Sequence, residues 1–175
     1  MAATRNLLMA AAATAMLAVA GCSDGGGDSS GTATPVSPST TAPTTTGKSS
    51  GVLAPTEPGV SKTYNVEALI LSVEDAESDY GPVTVFSIQL VNNSDAVFEG
   101  SNFPTPTLVY GPAGTPAENT VSLSEGFGGG VQGSIPPGAR QTIKYAYKVP
   151  KSELNPAVFT IGSLVWQGNF ATFQR

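Results

Sequence analysis

The residue with the clearest chemistry is Cys22, the only cysteine in the 175-residue chain, which follows Leu17-Ala18-Val19-Ala20-Gly21. A thiol placed directly after an apolar run ending in small residues is the pattern read for lipid transfer to sulfur and cleavage between Gly21 and Cys22. The chemistry expected of Cys22 is therefore attachment. A single acyl chain, at about 0.8 kcal/mol per buried methylene, holds only marginally, whereas two or three chains hold stably. The mature protein is expected to be lipid-anchored on the extracytoplasmic face of the cell membrane. With no second cysteine, an intrachain disulfide is excluded.

The remaining candidate chemistry is limited by what is missing. The chain has no histidine, and Met1, Met9 and Met16 all precede Cys22. This removes Ser-His-Asp and Cys-His catalysis, imidazole-based zinc sites and copper sites that need His or Met. No enzyme, cofactor or metal is expected. Glu74, Asp75, Glu77 and Asp79 gather carboxylates that could ligate calcium through oxygen. Their spacing fits no EF-hand, and a solvated acidic turn is the expectation. Gly128-Gly129-Gly130-Val131-Gln132-Gly133 satisfies GxGxxG, but Ser134-Ile135-Pro136-Pro137 follows and no helix can start there to receive a phosphate. Gly47-Lys48-Ser49-Ser50-Gly51 matches GxSxG without a base to activate its serine. Both strings read as products of composition.

Arg140, Lys144, Lys148 and Lys151 form a basic stripe along one predicted strand and its exit. Such a stripe blunts a sheet edge, or it contacts anionic lipid heads or wall polymers. Across the chain, 8 basic residues face 13 acidic ones for a net charge of -5, which excludes a nucleic-acid backbone binder.

These residues need elements to hold them. Residues 1–21 read as a signal peptide with Arg5 in its n-region and an apolar core from Leu7 to Ala20, too short for the roughly 20 residues of a membrane span. Residues 22–61 are dominated by Ser, Thr, Gly, Pro and Ala and have little to bury, so a disordered tether is expected there. The Thr-rich part reads either as an unmodified spacer or as a stalk for O-linked sugars. Residues 62–175 form the expected folded domain.

Within it, Tyr64, Val66, Ala68 and Ile70 alternate, then Leu71 and Val73 carry apolar character on the other parity, which predicts a strand with a bulge. Thr84, Phe86, Ile88 and Leu90 share one face of a second strand, closed by a turn at Asn92-Asn93-Ser94-Asp95. Thr107 to Tyr110 is a third, and Val121 with Leu123 suggests a short one. The cleanest alternation places Ile143, Tyr145, Tyr147 and Val149 inward, opposite a wet, cationic face. A single helical turn is expected over 151–155. Phe159 and Ile161 oppose Leu164 and Trp166 in parity, a slip that predicts a bulge at Gly162-Ser163. A terminal strand or arm follows from Asn169 to Phe173. Phe86, Tyr145, Tyr147, Phe159 and Trp166 sit at alternating positions expected of core. Many short strands separated by turn signals, without an amphipathic helix, predict an all-β immunoglobulin-like antiparallel β-sandwich, with a closed barrel as alternative.

Val85 through Ser94, ending in Asn92-Asn93-Ser94, then Asn102-Phe103, Pro137-Gly138 and Lys148-Val149-Pro150 resemble an immunoglobulin-like domain of unknown function. That family occurs in Gram-positive surface lipoproteins and is similar to secreted immunoprotective extracellular proteins. The resemblance spans about residues 62–168 and rests on turns and strand ends. It implies the sandwich fold and supplies no catalytic residues; the long Gly-rich insert after Leu123 departs from it.

The function expected from all this is a binding or interaction module for a protein or cell-wall polymer of the envelope. The alternative is a carrier that holds a lipid or small apolar ligand between its sheets. A carrier needs an apolar cavity of about 300 Å³ or more, whereas a recognition module needs only an exposed patch.

Overall fold

The computed structural model describes Gly47 and residues 51–175. The expected signal peptide, Cys22 and the tether up to residue 46 lie outside the described residues. Twelve strands follow in order: β1 (Val52–Leu53), β2 (Gly59–Val60), β3 (Val66–Ser78), β4 (Gly81–Asn92), β5 (Phe98–Glu99), β6 (Thr107–Tyr110), β7 (Thr115–Pro116), β8 (Asn119–Thr120), β9 (Ser134–Ile135), β10 (Arg140–Tyr147), β11 (Ala157–Ile161) and β12 (Leu164–Gly168).

They form two five-stranded sheets, β1-β12-β11-β6-β7 and β2-β3-β4-β10-β8, with β5 and β9 as a separate pair. Taking β3, β4, β10 and β8 as strands A, B, E and D places β6, β11 and β12 as C, F and G. This is the immunoglobulin-like arrangement, with β7 as an added C′ strand. The pairing is antiparallel throughout except between β1 and β12.

Alternation explains the layers. In β3, Val66, Ala68 and Ile70 face inward, and the register to β4 shifts between Ile70 and Ser72, so that Val73 returns to the core. The expected bulge is there, with Leu71 as the extra residue. Between the sheets, Phe86 stacks on Phe159 with centroids 4.6 Å apart, and Tyr147, Trp166 and Phe170 close around them. The predicted aromatic positions are core.

Several boundaries differ from expectation, each for an identifiable reason. Ordered sheet begins before residue 62. Leu53 is buried beside Trp166, whose indole Nε1 donates to Glu57 O at 2.8 Å, and Val60 is buried on β3. Two apolar residues suffice to dock short strands on edges that β12 and β3 already provide. Gly59 permits the approach: a Cβ there would lie 2.7 Å from Leu53 Cδ1 and 3.1 Å from Trp166 Cζ2.

The acidic stretch from Glu74 to Ser78 is strand rather than turn, and the hairpin closes only at Asp79-Tyr80. The slip at Gly162-Ser163 is a two-residue hairpin, not a bulge, with Gly162 at φ +56° and Ile161 paired to Leu164. Val121 and Leu123 are exposed, and the short strand sits just ahead of them at Asn119–Thr120. The terminal segment is a plug: Phe170 N donates to Leu154 O at 2.9 Å, and the Phe170 and Phe173 rings are buried. The expected helical turn is a 3-10 turn at Lys151–Glu153.

Candidate functional site

The most ligand-like feature is a cleft of about 310 Å³ at one end of the sandwich. Val66, Ala68 and Leu90 of β3 and β4 form one wall, Ile161 and Leu164 of the β11–β12 hairpin the other, with Phe98 and Phe103 at the end. Both layers and the connecting loop thus contribute apolar side chains. Among the described residues its polar lining is Ser61, Thr63, Tyr64, Asn102 and Ser163, with no charged side chain. A site of this kind desolvates an apolar group and orients it with a few hydroxyl and amide contacts.

Tyr64 stands at the mouth because the preceding turn is tightly closed. Ser61 N donates to Val66 O (2.9 Å), Asn65 N to Ser61 O (2.8 Å), and Asn65, at φ +52°, donates through Nδ2 to Asn93 O (2.8 Å). Asparagine tolerates that left-handed conformation better than most residues. The Tyr64 ring then meets Phe98 edge-on at 5.3 Å. Sequence alternation places Tyr64 inward on a strand, but it is half-exposed on this turn. Phe98 carries no strong sequence signal, since its strand is only two residues long.

Asn92 holds the loop side of the cleft together. It is fully buried at the end of β4, where Nδ2 donates to Ala96 O (2.7 Å) and Ile135 O (2.8 Å), and Oδ1 accepts from Ser94 N (3.1 Å) and Ser94 Oγ (2.7 Å). Gly138 N donates to Asn92 O at 2.7 Å. Three of the stretches that carry the sequence resemblance, Asn92-Asn93-Ser94, Asn102-Phe103 and Pro137-Gly138, therefore converge at this end of the domain, while Lys148-Val149-Pro150 lies at the other.

The basic stripe does not form a continuous patch. Arg140 and Lys144 are exposed, Lys148 pairs with Glu118 (Nζ to Oε1, 2.6 Å), and Lys151 Nζ donates to Phe173 O (3.3 Å). Nor is the outer face of β10 wholly wet. Ala146 is buried against Val83, Val85 and Phe127, the last supplied by the Gly-rich segment. That segment covers the edge of β10: Gly128 N donates to Lys144 O (2.9 Å), and Gln141 Nε2 donates to Gln132 O (3.1 Å). Four of its amides are taken up by the fold, Gly126 N by Leu123 O, Phe127 N by Ser122 O, Gly128 N by Lys144 O and Gln132 N by Gln141 Oε1, and Ser134–Ile135 follows as strand. It is a cover for the sheet, not a phosphate cradle.

On β3 Glu74 points away from Asp75 and Glu77, which share a face, and Asp79 lies beyond the strand in the turn. Asp75 Oδ1 is taken up by Lys151 N (2.7 Å) and the Thr84 hydroxyl (3.0 Å). Among the described residues no group of three or more His, Cys, Asp or Glu is placed to hold a metal ion. Of the GxSxG string, Lys48 to Ser50 lie outside the described residues, as do Gly21 and Cys22. Burial raises the Tyr145 and Tyr147 phenols above their ordinary range, and the Tyr147 hydroxyl donates to Pro106 O at 3.1 Å. Both rings belong to the core.

No family model matches the chain, and no curated protein matches it. Among solved structures it is similar to an uncharacterized β-sandwich protein from Clostridium difficile 630, with 14% identity and a TM-score of 0.43. The match covers 71% of this chain and 96% of that one. The chain folds as an immunoglobulin-like β-sandwich whose turns meet around an apolar end cleft.

Proposed function

We propose that the protein is a lipid-anchored, extracytoplasmic binding module of the cell envelope, of the kind found in immunoglobulin-like surface lipoproteins, and that its end cleft receives an apolar group of the partner. The observation that carries this reading is the cleft itself, about 310 Å³ and lined by apolar side chains from both sheets. Its mechanism is display: lipid on Cys22 fixes the base, residues 22–50 set the search radius, and the sandwich presents a preformed concave site. The carrier alternative draws on the same cleft, whose volume of about 310 Å³ meets the roughly 300 Å³ that a small apolar ligand needs; among the described residues Trp166, Phe86, Phe159 and Phe170 fill the space between the sheets, which disfavours a long acyl chain.

The test is site-specific photocrosslinking in intact cells. A photoreactive side chain at position 64 is expected to give a discrete crosslinked species that is lost when Ser163→Trp blocks the cleft. The same group at position 115, on the far edge strand, is expected to give none. Equal crosslinking from both positions would contradict the assignment.

A further inference from the structure

We propose that the turn at Tyr80 and the facing segment 118–121 form a binding site for a neutral oligosaccharide, separate from the end cleft. The turn closes the long β3–β4 hairpin at the end opposite the cleft, roughly 40 Å away along β3 at about 3.3 Å per residue.

Three observations support a built site. First, Tyr80 is 62% exposed on a turn whose backbone is held in place. Ser78 Oγ donates to Gly81 O (2.8 Å) and accepts from Tyr80 N (3.1 Å), while Asp79 N donates to Glu125 Oε1 (3.3 Å) on the neighbouring loop. An exposed aromatic face on such a turn can bury the C–H face of a pyranose ring.

Second, Tyr80 and Lys148 both border two depressions, one of about 630 Å³ reaching Pro82 and Pro150, the other of about 250 Å³ reaching Thr120 and Val121. Sharing Tyr80 and Lys148, the two depressions let an extended ligand place units on either side of this residue pair. Third, the polar groups suit hydroxyls rather than an anion. Lys148 Nζ and Glu118 Oε1 pair at 2.6 Å while both side chains stay accessible, which leaves ammonium protons and carboxylate lone pairs to meet vicinal hydroxyls. Asp75 and Glu77 also line the larger depression, so carboxylates outnumber ammonium groups across the two, which disfavours a phosphate polymer and offers acceptors to the hydroxyls of an uncharged saccharide.

The test is titration of the full chain in detergent micelles with a β-1,4-linked N-acetylglucosamine tetramer, a glucose tetramer and a mannose tetramer, followed by amide NMR. At least one tetramer is expected to shift the amides of 78–81, 118–121 and Lys148 saturably at millimolar concentration, leaving Ala68 and Leu164 unmoved. Tyr80→Ala, on an exposed turn, is expected to weaken binding at least about tenfold with an otherwise unchanged spectrum, and Tyr80→Phe to keep it within about threefold. No saturable shift with any tetramer, shifts confined to the cleft, or an affinity indifferent to Tyr80→Ala would each overturn the proposal. None of these results depends on whether the cleft binds its own ligand.

Discussion

Replacing Asn92 by leucine tests the framework around the cleft most severely, because shape is kept while every polar contact of the side chain is lost. The Ile135 carbonyl, buried and 2.8 Å from Nδ2, loses this donor, which costs about 1–3 kcal/mol. The Ala96 carbonyl also loses Nδ2 but can take the Ser94 hydroxyl, 2.9 Å away and released from Asn92 Oδ1, so that bond adds only about 1 kcal/mol. Ser94 regains water. The sum is about 2–4 kcal/mol, a large share of the roughly 5–15 kcal/mol that holds a domain folded.

The fluorescence of the single tryptophan, Trp166, reports unfolding, since its ring is fully buried. In urea the midpoint should fall while the slope stays unchanged, and the melting temperature should drop by about 10 °C. Asn92→Asp sharpens the test: it retains an acceptor for Ser94 but turns a carboxylate oxygen toward two carbonyls. Its loss should be greater at neutral pH and ease in acid, where a protonated carboxyl can donate once more. A cost below about 0.5 kcal/mol for Asn92→Leu would refute the assignment of Asn92 as the organising contact.

Other predictions follow from single contacts. A Cβ at Gly100 would lie 2.5 Å from the carbonyl oxygens of both Val131 and Gly133, which are backbone atoms, so Gly100→Ala should cost at least about 2 kcal/mol in the same urea assay. Burial raises the Tyr145 and Tyr147 phenols, so the folded state holds protons that the unfolded state releases; stability should fall as pH rises above 10, by up to about 1.4 kcal/mol per pH unit per tyrosine, and Tyr147→Phe should flatten that slope in alkaline unfolding curves more than Tyr145→Phe does. Cys22→Ala should move the protein from the detergent phase to the aqueous phase without changing the Trp166 unfolding curve; retention in the detergent phase would refute the lipid anchor.

Period-two alternation made the long strands legible. Ile143, Tyr145 and Tyr147, like Phe86, Ile88 and Leu90, announce an inward face, and the parity change at Leu71 announces the bulge. Hairpins and docked segments were harder to see, because their signals are local or depend on partners far along the chain. Gly162-Ser163 between two apolar runs is itself a hairpin signal, since glycine first in a two-residue loop supplies the positive φ. Glu74 to Ser78 reads as loop from composition, yet pairing with β4 carries it into the strand. Leu53 and Val60 have no neighbours in sequence that could reveal their burial, which comes from edges completed by β12 and β3. The cleft was not legible at all. Its walls come from β3, β4, the loop at Phe98 and the β11–β12 hairpin, and only the fold brings them together. Some of its supporting turns were visible as the Asn-Asn-Ser, Asn-Phe and Pro-Gly signals, though nothing in the sequence said they meet.

The central claim, that the end cleft is a binding site, is tested most directly by titrating the full chain in detergent micelles with a small ring probe such as indole and following side-chain methyl resonances. Saturable shifts at Ala68, Leu90, Ile161 and Leu164, abolished by Ser163→Trp, are the predicted result. Methyl resonances that stay unmoved at these four residues, or shifts spread evenly over the exposed Val52, Val97, Val121 and Leu123, would contradict it.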